Sequence, residues 1–346
     1  MVFKQTLEYL LNGNDLSHAD MLTLMQQVMN GELTPAQIAG LVIVLHQKGE
    51  SVDEIAAAAA VMRTLSTKVE IADKTHLIDT CGTGGDGIQT FNVSTVSAFI
   101  AAAAGAKVAK HGGRSVSSTC GSADVLEALG VNVNLTPVQV AKCVNEIGIG
   151  FMFAPNYHNA MKHAAPVRRE LGVRTIFNLL GPLTNPASAK RQIMGVFNKD
   201  LTLKLAKVLQ NLGSEHVLVV HGADGMDEIS FTGDTFVAEL KAGKISEYTL
   251  HPAQFDLKTH ALKDIQIQNA AESRAMILDV LKGRLDNQNQ RAARDIALLN
   301  AGAAIYIAGL QATIHAGIEY AAKVIDNGNA LQKLQQLVQL SSSINI

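Results

Sequence analysis

Cysteine is scarce in this chain: there are three, Cys81, Cys120 and Cys143, and none lies in a CxxC pair. An odd count without paired spacing excludes a disulfide framework and a four-ligand zinc site, and it fits a reducing compartment. A charge excess is missing too. Lys and Arg total 29 and Asp and Glu 31, a formal net charge of −2. That balance gives no broad footprint for nucleic acid, although a local basic pocket is compatible with it. The first fifteen residues hold no basic region followed by an apolar core and a small-residue cleavage site, and the alanine-rich runs at 56–62 and 98–106 are too short to span a bilayer. The expectation is a cytoplasmic protein with neither membrane nor nucleic acid among its partners. What the chain does have is 346 residues, 47% of them apolar and 17% charged, enough for a full core without covalent staples.

The first seventy residues carry helix signals only. Ser17-His18-Ala19-Asp20, Thr34-Pro35-Ala36-Gln37 and Ser51-Val52-Asp53-Glu54 are capping-box patterns, and Gly49 stands where a glycine closes the second of these helices. The apolar stripe Ile38, Leu41, Val42, Leu45 needs a partner, either the main domain or a second copy of the chain. From residue 75 strands and helices alternate, with strands at 77–79, 106–110, 149–153, 193–197 and 217–220 and helices at 92–104, 122–129, 158–171 and 200–212. Such alternation predicts an α/β fold: a mainly parallel sheet flanked by helices, plus a smaller all-helical N-terminal domain. The expected domains are 1–72, joined by part of 172–190, and 73–346. Residues 227–250 predict antiparallel strands around Thr232-Gly233-Asp234, and the chain is helical again from about 268.

Four stretches carry chemistry. The first is Asp79-Thr80-Cys81-Gly82-Thr83-Gly84-Gly85-Asp86, a glycine loop between a strand and a helix, where backbone N–H groups and a helix N-terminus suit a phosphate. It contains GxGxxG, but a dinucleotide fold wants an acidic residue after the next strand, and this chain has Lys110-His111. No GxxxxGK[ST] is present, which excludes a Walker loop. The alternative is an ordinary tight turn. The second stretch, Lys110 to Ser122, supplies two cations, serine hydroxyls and two glycines at the same sheet edge, a composition suited to several phosphates and a sugar. The third is Asp227-Glu228, which in a turn can face one hard cation held also by phosphates; a solvated turn is the bland reading. The fourth is the run from His158 to Arg168-Arg169, where one arginine suits a carboxylate and periodicity does not choose between them.

Together DTCGTGGDG, FNVSTVSAF, KHGGRSVSS, GSADVLEALG, the Tyr157-His158 to Arg168 segment and RTIFNLLGPLTNP closely resemble the anthranilate phosphoribosyltransferase family, over residues 4 to 340. The resemblance implies a nucleoside-phosphorylase-like fold, a homodimer formed through the helical domains, and Mg2+ as cofactor. It implies transfer of the phosphoribosyl group of phosphoribosyl pyrophosphate (PRPP) to anthranilate, in tryptophan biosynthesis. By position it implies that Gly82, Gly85, Asp86, Thr90, Asn92, Val93, Ser94, Thr95, Lys110, His111, Gly112, Gly113, Arg114, Ser115, Val116, Ser117, Ser118 and Ser122 meet PRPP. Ser94, Asp227 and Glu228 would hold magnesium, and Gly82, Gly113, His158 and Arg168 would meet anthranilate. One departure is Gly113, where the family commonly has an asparagine that contacts anthranilate; KHGGR thereby moves toward the KxSGR of pyrimidine nucleoside phosphorylases. A phosphorylase of that kind is the alternative, and a non-catalytic nucleic-acid-binding relative a more distant one. The expected mechanism relies on positioning and electrostatics, with no essential general base.

Overall fold

The computed structural model describes residues 3–114 and 120–343. Four helices come first: α1 (Phe3–Leu11), α2 (His18–Asn30), α3 (Pro35–Lys48) and α4 (Val52–Leu65). Their starts follow the sequence signals. Ser17 caps α2 by accepting the Asp20 N–H, and both Thr34 and Ser51 form complete capping boxes with Gln37 and Glu54. Ile38, Leu41, Val42 and Leu45 are buried within the chain's own core. The stripe is therefore satisfied internally and offers no face to a second copy, which corrects that alternative.

The α/β part runs β1 (Leu77–Thr80), α5 (Val93–Ala103), β2 (Lys107–Gly112), α6 (Ser122–Ala128), α7 (Pro137–Ile147), β3 (Ile149–Phe153), α8 (Ala154–Tyr157), a 3-10 turn at Asn159–His163, α9 (Ala165–Leu171), α10 (Ile176–Leu180), β4 (Arg191–Gly195), α11 (Leu201–Asn211), β5 (His216–Gly222), β6 (Thr235–Lys241) and β7 (Lys244–Leu250). It closes with α12 (Ala270–Leu281), α13 (Gln288–Ile307), α14 (Ile314–Asp326) and α15 (Asn329–Ser343). The seven strands lie in the order β3-β2-β1-β4-β5-β6-β7. The first five are parallel and β6 and β7 antiparallel. The β6–β7 hairpin turns at Ala242-Gly243, whose positive φ angles suit a tight turn. Thr232-Gly233-Asp234 lies in the longer β5–β6 connection, so the antiparallel strands are present but their tight turn is later than the sequence predicts.

Both sheet faces are covered, as a parallel sheet requires. In β5, Leu218 and Val220 point into the core shared with α5, α13 and α14, while Val217 and Val219 point into the core shared with α1 to α4 and α11. Segment 172–186 crosses to the N-terminal helices: Ile176, Phe177, Leu179 and Leu180 of α10 enter their core, and α10 packs on α3 and α4. From α4, the Arg63 guanidinium donates to the carbonyls of Leu183 (2.6 Å) and Leu212 (3.1 Å).

The helix expected over 158–171 is two pieces, the 3-10 turn at Asn159–His163 and α9. Pro166 has no N–H to give the turn before it, and its ring would clash with the carbonyl four residues earlier. The chain instead starts α9 with that proline in its first turn. His158, Lys162 and Arg169 therefore share no helical face.

Candidate active site

The chain runs from β1 to β2 and β3 on one side and then returns to β4 on the other, so the strand order reverses at β1/β4. The crevice outside the carboxyl ends of the strands at such a point is where α/β sheets bind ligands. The glycine loop leaves β1 there. Thr83 N–H donates to the Gly195 carbonyl at the end of β4 (2.8 Å). Gly84, Gly85 and Gly87 hold positive φ, the conformation their missing Cβ permits. Close approach also needs glycine: a Cβ on Gly82 would lie 2.9 Å from the Gly195 oxygen, and one on Gly195 would lie 1.5 Å from the Asp227 carbonyl oxygen. These contacts bring the β5–β6 connection, with Asp227 and Glu228, onto the glycine loop.

The two carboxylates are held by backbone donors from different elements. Asp227 Oδ2 accepts the Gly84 N–H (2.8 Å) and Glu228 Oε1 accepts the Ser94 N–H at the start of α5 (3.0 Å). Burial, then the charge of Asp86, pushes Asp227 up to about 7; burial and the charge of Asp227 push Glu228 up to about 8. Half-buried, mutually repelling carboxylates suit a hard divalent cation, which relieves the repulsion and keeps both ionised. Among the described residues no group of three or more His, Cys, Asp or Glu gathers to hold a metal by itself. The donor set thus fits a magnesium ion whose remaining ligands are substrate oxygens and water.

Lys110 stands opposite them. It is buried, and among the described residues its ammonium donates to the Thr80 carbonyl and hydroxyl (2.5 and 3.3 Å) and the Ser94 hydroxyl (3.1 Å). At the end of β2, Gly112 is close to Ser122, since a Cβ there would lie 2.2 Å from Ser122 Oγ, and Ser122 in turn donates to the Gly113 carbonyl. Gly113 faces open space: nothing described lies within 4 Å of a Cβ built on it. Segment 89–91 is fixed by pairing with 265–267, including the Thr90–Gln266 bridge. Asn92 precedes α5, with its amide bonded to Ser273 Oγ and the Cys120 carbonyl. Val93 and Thr95 are buried, the Thr95 hydroxyl without a partner among the described residues. Ser115, Val116, Ser117 and Ser118 lie outside the described residues. Arg114 is turned onto α6, paired with Glu127 (2.7 and 2.8 Å) and Asp124 (2.9 Å).

The fourth stretch forms the other wall. His158 and His111 meet edge to face, their Nε2 atoms 3.2 Å apart. Burial pushes His111 down to about 3 and His158 down to about 4, so both rings are neutral near pH 7. Arg168 is half-buried with its guanidinium 5.6 Å from the Phe177 ring and no carboxylate partner among the described residues, whereas Arg169 is exposed. That contrast separates two arginines that periodicity leaves equivalent. His163 is used in packing: its ring fills the space a side chain on Gly31 would take.

Several site residues went unassigned from sequence. Asp79 is buried and pushed up to about 6 by desolvation; it accepts the His111 N–H (3.2 Å) and the Asn185 amide (2.7 Å), which sets the end of β2. Arg174 donates to the Gly85 carbonyl while lying 4.1 Å from the Phe197 ring. The signal for Asn185 was available, as a polar residue directly before Pro186 in a mostly apolar stretch. Arg174 had none, because its partner is a loop 89 positions away.

Comparison with known proteins agrees with the fold. Residues 74–331 match the glycosyl transferase family a/b domain and residues 4–66 the helical bundle domain of the same family. An anthranilate phosphoribosyltransferase of Methylobacillus flagellatus is 62% identical over 343 residues, 99% of each chain. The crystal structure of the anthranilate phosphoribosyltransferase from Thermus thermophilus superposes with a TM-score of 0.91 at 40% identity, covering 97% of this chain and 99% of that one. A Saccharomyces cerevisiae anthranilate phosphoribosyltransferase in complex with PRPP and Mg superposes with a TM-score of 0.83 at 28% identity, covering 94% and 93%.

Proposed function

The chain belongs to the anthranilate phosphoribosyltransferase family, and from that premise we propose how its residues divide the work. The enzyme transfers the 5-phosphoribosyl group of PRPP to the amine of anthranilate and releases pyrophosphate, in tryptophan biosynthesis, with magnesium as its metal. The observation that carries the residue assignments is the meeting of three loops at the β1/β4 crevice: the glycine loop, the end of β2 with Lys110, and the Asp227–Glu228 turn.

In this reading the glycine loop cradles the pyrophosphate of PRPP beside the N-terminus of α5, and Lys110 offsets its charge. Asp227 and Glu228, with the Ser94 hydroxyl, hold magnesium, which when bound neutralises charge on the departing pyrophosphate. Ser122 and the loop from His111 to Ser118 surround the ribose and its phosphate. Arg114, within that loop, meets the ribose phosphate by exchanging Glu127 for it, a phosphate being a stronger competitor for a guanidinium fork. Arg168 receives the anthranilate carboxylate, and the neutral His158–His111 pair lines the ring's site beside Gly82 and Gly113. The aromatic amine is already nucleophilic when neutral, so rate comes from holding it against C1 of the ribose while negative charge on the leaving group is stabilised.

We propose further that the chain works in the cytoplasm, and as a homodimer formed through the helical domain, where Tyr9, Leu11, Ile43 and Leu65 leave apolar side chains exposed. Its three cysteines are free, as a reducing compartment allows, and among the described residues no helix is long and apolar enough to cross a membrane. Incubation with anthranilate, PRPP and Mg2+, in parallel with thymidine and phosphate, tests the function. Phosphoribosylated anthranilate in the first reaction and intact thymidine in the second are expected; thymine release would move the chain to the phosphorylases.

A further inference from the structure

Asn300 lies in the middle of α13 and is 2% exposed, among alanines and aliphatic side chains. A carboxamide buried in this way is costly unless its polar atoms are matched. Here they are matched to one residue of the site. Asn300 Oδ1 accepts the Ile229 N–H at 2.9 Å, and Nδ2 donates to the Ile229 carbonyl at 2.9 Å and to the Ile296 carbonyl one turn back at 3.0 Å. Ile229 follows Glu228 directly, so the side chain grips both polar groups of the backbone next to the carboxylate. On the other side Glu228 takes the Ser94 N–H from α5, and α5 packs along α13.

We infer that Asn300 is a positioning residue for the Asp227–Glu228 pair, fixing the distance between that turn and the α5 N-terminus from a helix that does not itself reach the crevice. The inference rests on the reading of the pair as magnesium ligands. The turn has other internal supports: Asp224 Oδ1 accepts the Met226 N–H, and Oδ2 accepts the hydroxyls of Ser230 and Thr232. Those bonds keep its shape, whereas the Asn300 clamp ties it to α13. Groups that orient metal ligands without touching the metal typically change affinity about 10- to 100-fold when removed.

The test is calorimetric titration of PRPP into the whole protein at graded Mg2+ without anthranilate, so that binding is read with no turnover. Asn300→Leu keeps the shape and removes the clamp. It is expected to need about tenfold more Mg2+ for half-maximal PRPP binding, with the anthranilate KM unchanged. Asn300→Asp keeps an acceptor for Ile229 N–H and is expected to fall between Leu and wild type; it carries the test if the leucine variant does not fold. Ile305→Ala, a cavity in the same helix remote from the turn, reports what lost stability alone does, and is expected to leave the Mg2+ requirement unchanged. The inference is overturned if the Asn300 variants keep the wild-type requirement while Glu228→Gln raises it, or if Ile305→Ala raises it as much as Asn300→Leu. An unchanged requirement in Glu228→Gln would overturn the metal reading, and the inference with it.

Discussion

Residue by residue, the site is built from groups whose charge is held in reserve. Among the described residues Lys110 donates only to neutral oxygens, Arg168 rests over Phe177 without a carboxylate partner, and Asp227 and Glu228 share a repulsion. Each such group is costly alone and favourable once its ligand is present. Replacing Arg168 by Ala is expected to raise the anthranilate KM by roughly 10- to 100-fold, the worth of a charge-assisted bidentate bond, while leaving the PRPP KM near wild type. Steady-state kinetics with each substrate varied in turn measures this, and equal effects on both would remove Arg168 from the acceptor site. At this scale the sequence was legible where a motif states its own chemistry, as in DTCGTGGD or KHGGR. It was silent where a residue acts through a distant partner, as Asn300 does on Ile229 and Arg174 on Gly85, because spacing along the chain carries no information on such pairs.

Among elements, the decisive contact is the convergence of the loops after β1, β4 and β5 at Gly195. Gly195→Ala would set a methyl carbon into the Asp227 carbonyl and must push the Asp227–Glu228 turn off the glycine loop. Since misplacement of about 1 Å can cost on the order of 100-fold in rate, turnover is expected to fall by about that factor with the far-ultraviolet circular dichroism unchanged. A variant that turns over like wild type would show that the loops do not need this approach. Helix starts were legible because caps are local, as at Thr34 and Ser51. The fragmented 154–171 segment was not, since a periodic run masks the proline that interrupts it. Nor was the identity of the elements that cover the α3 stripe, which are α1, α9 and α10.

At the scale of the whole molecule, two helix-covered faces of one sheet hold the crevice, and pH acts on the total through the His111–His158 pair. Both folded pKa values lie below the unfolded value of about 6.5, because burial disfavours the imidazolium. The unfolded chain therefore binds more protons between about pH 4 and 6.5, so stability from this pair is complete above 6.5 and is lost as pH falls. Going from pH 7 to 5 is expected to cost about 2 kcal/mol per histidine, and His158→Gln should flatten that dependence in urea unfolding at the two pH values. An identical slope in wild type and variant would mean that His158 titrates alike in the folded and unfolded protein. The overall architecture was legible from the switch between helix-only and alternating patterns, whereas the sharing of one core between the N-terminal helices and the second face of the sheet is a property of packing alone.

The most direct test is the loss of anthranilate fluorescence on adding PRPP and Mg2+, run on the wild type and on the double variant Asp227→Asn, Glu228→Gln. The wild type is expected to consume anthranilate only when both PRPP and Mg2+ are present, and the folded double variant to leave the fluorescence almost unchanged. Fluorescence that persists with the wild type, or a double variant that matches it at limiting Mg2+, would contradict the account.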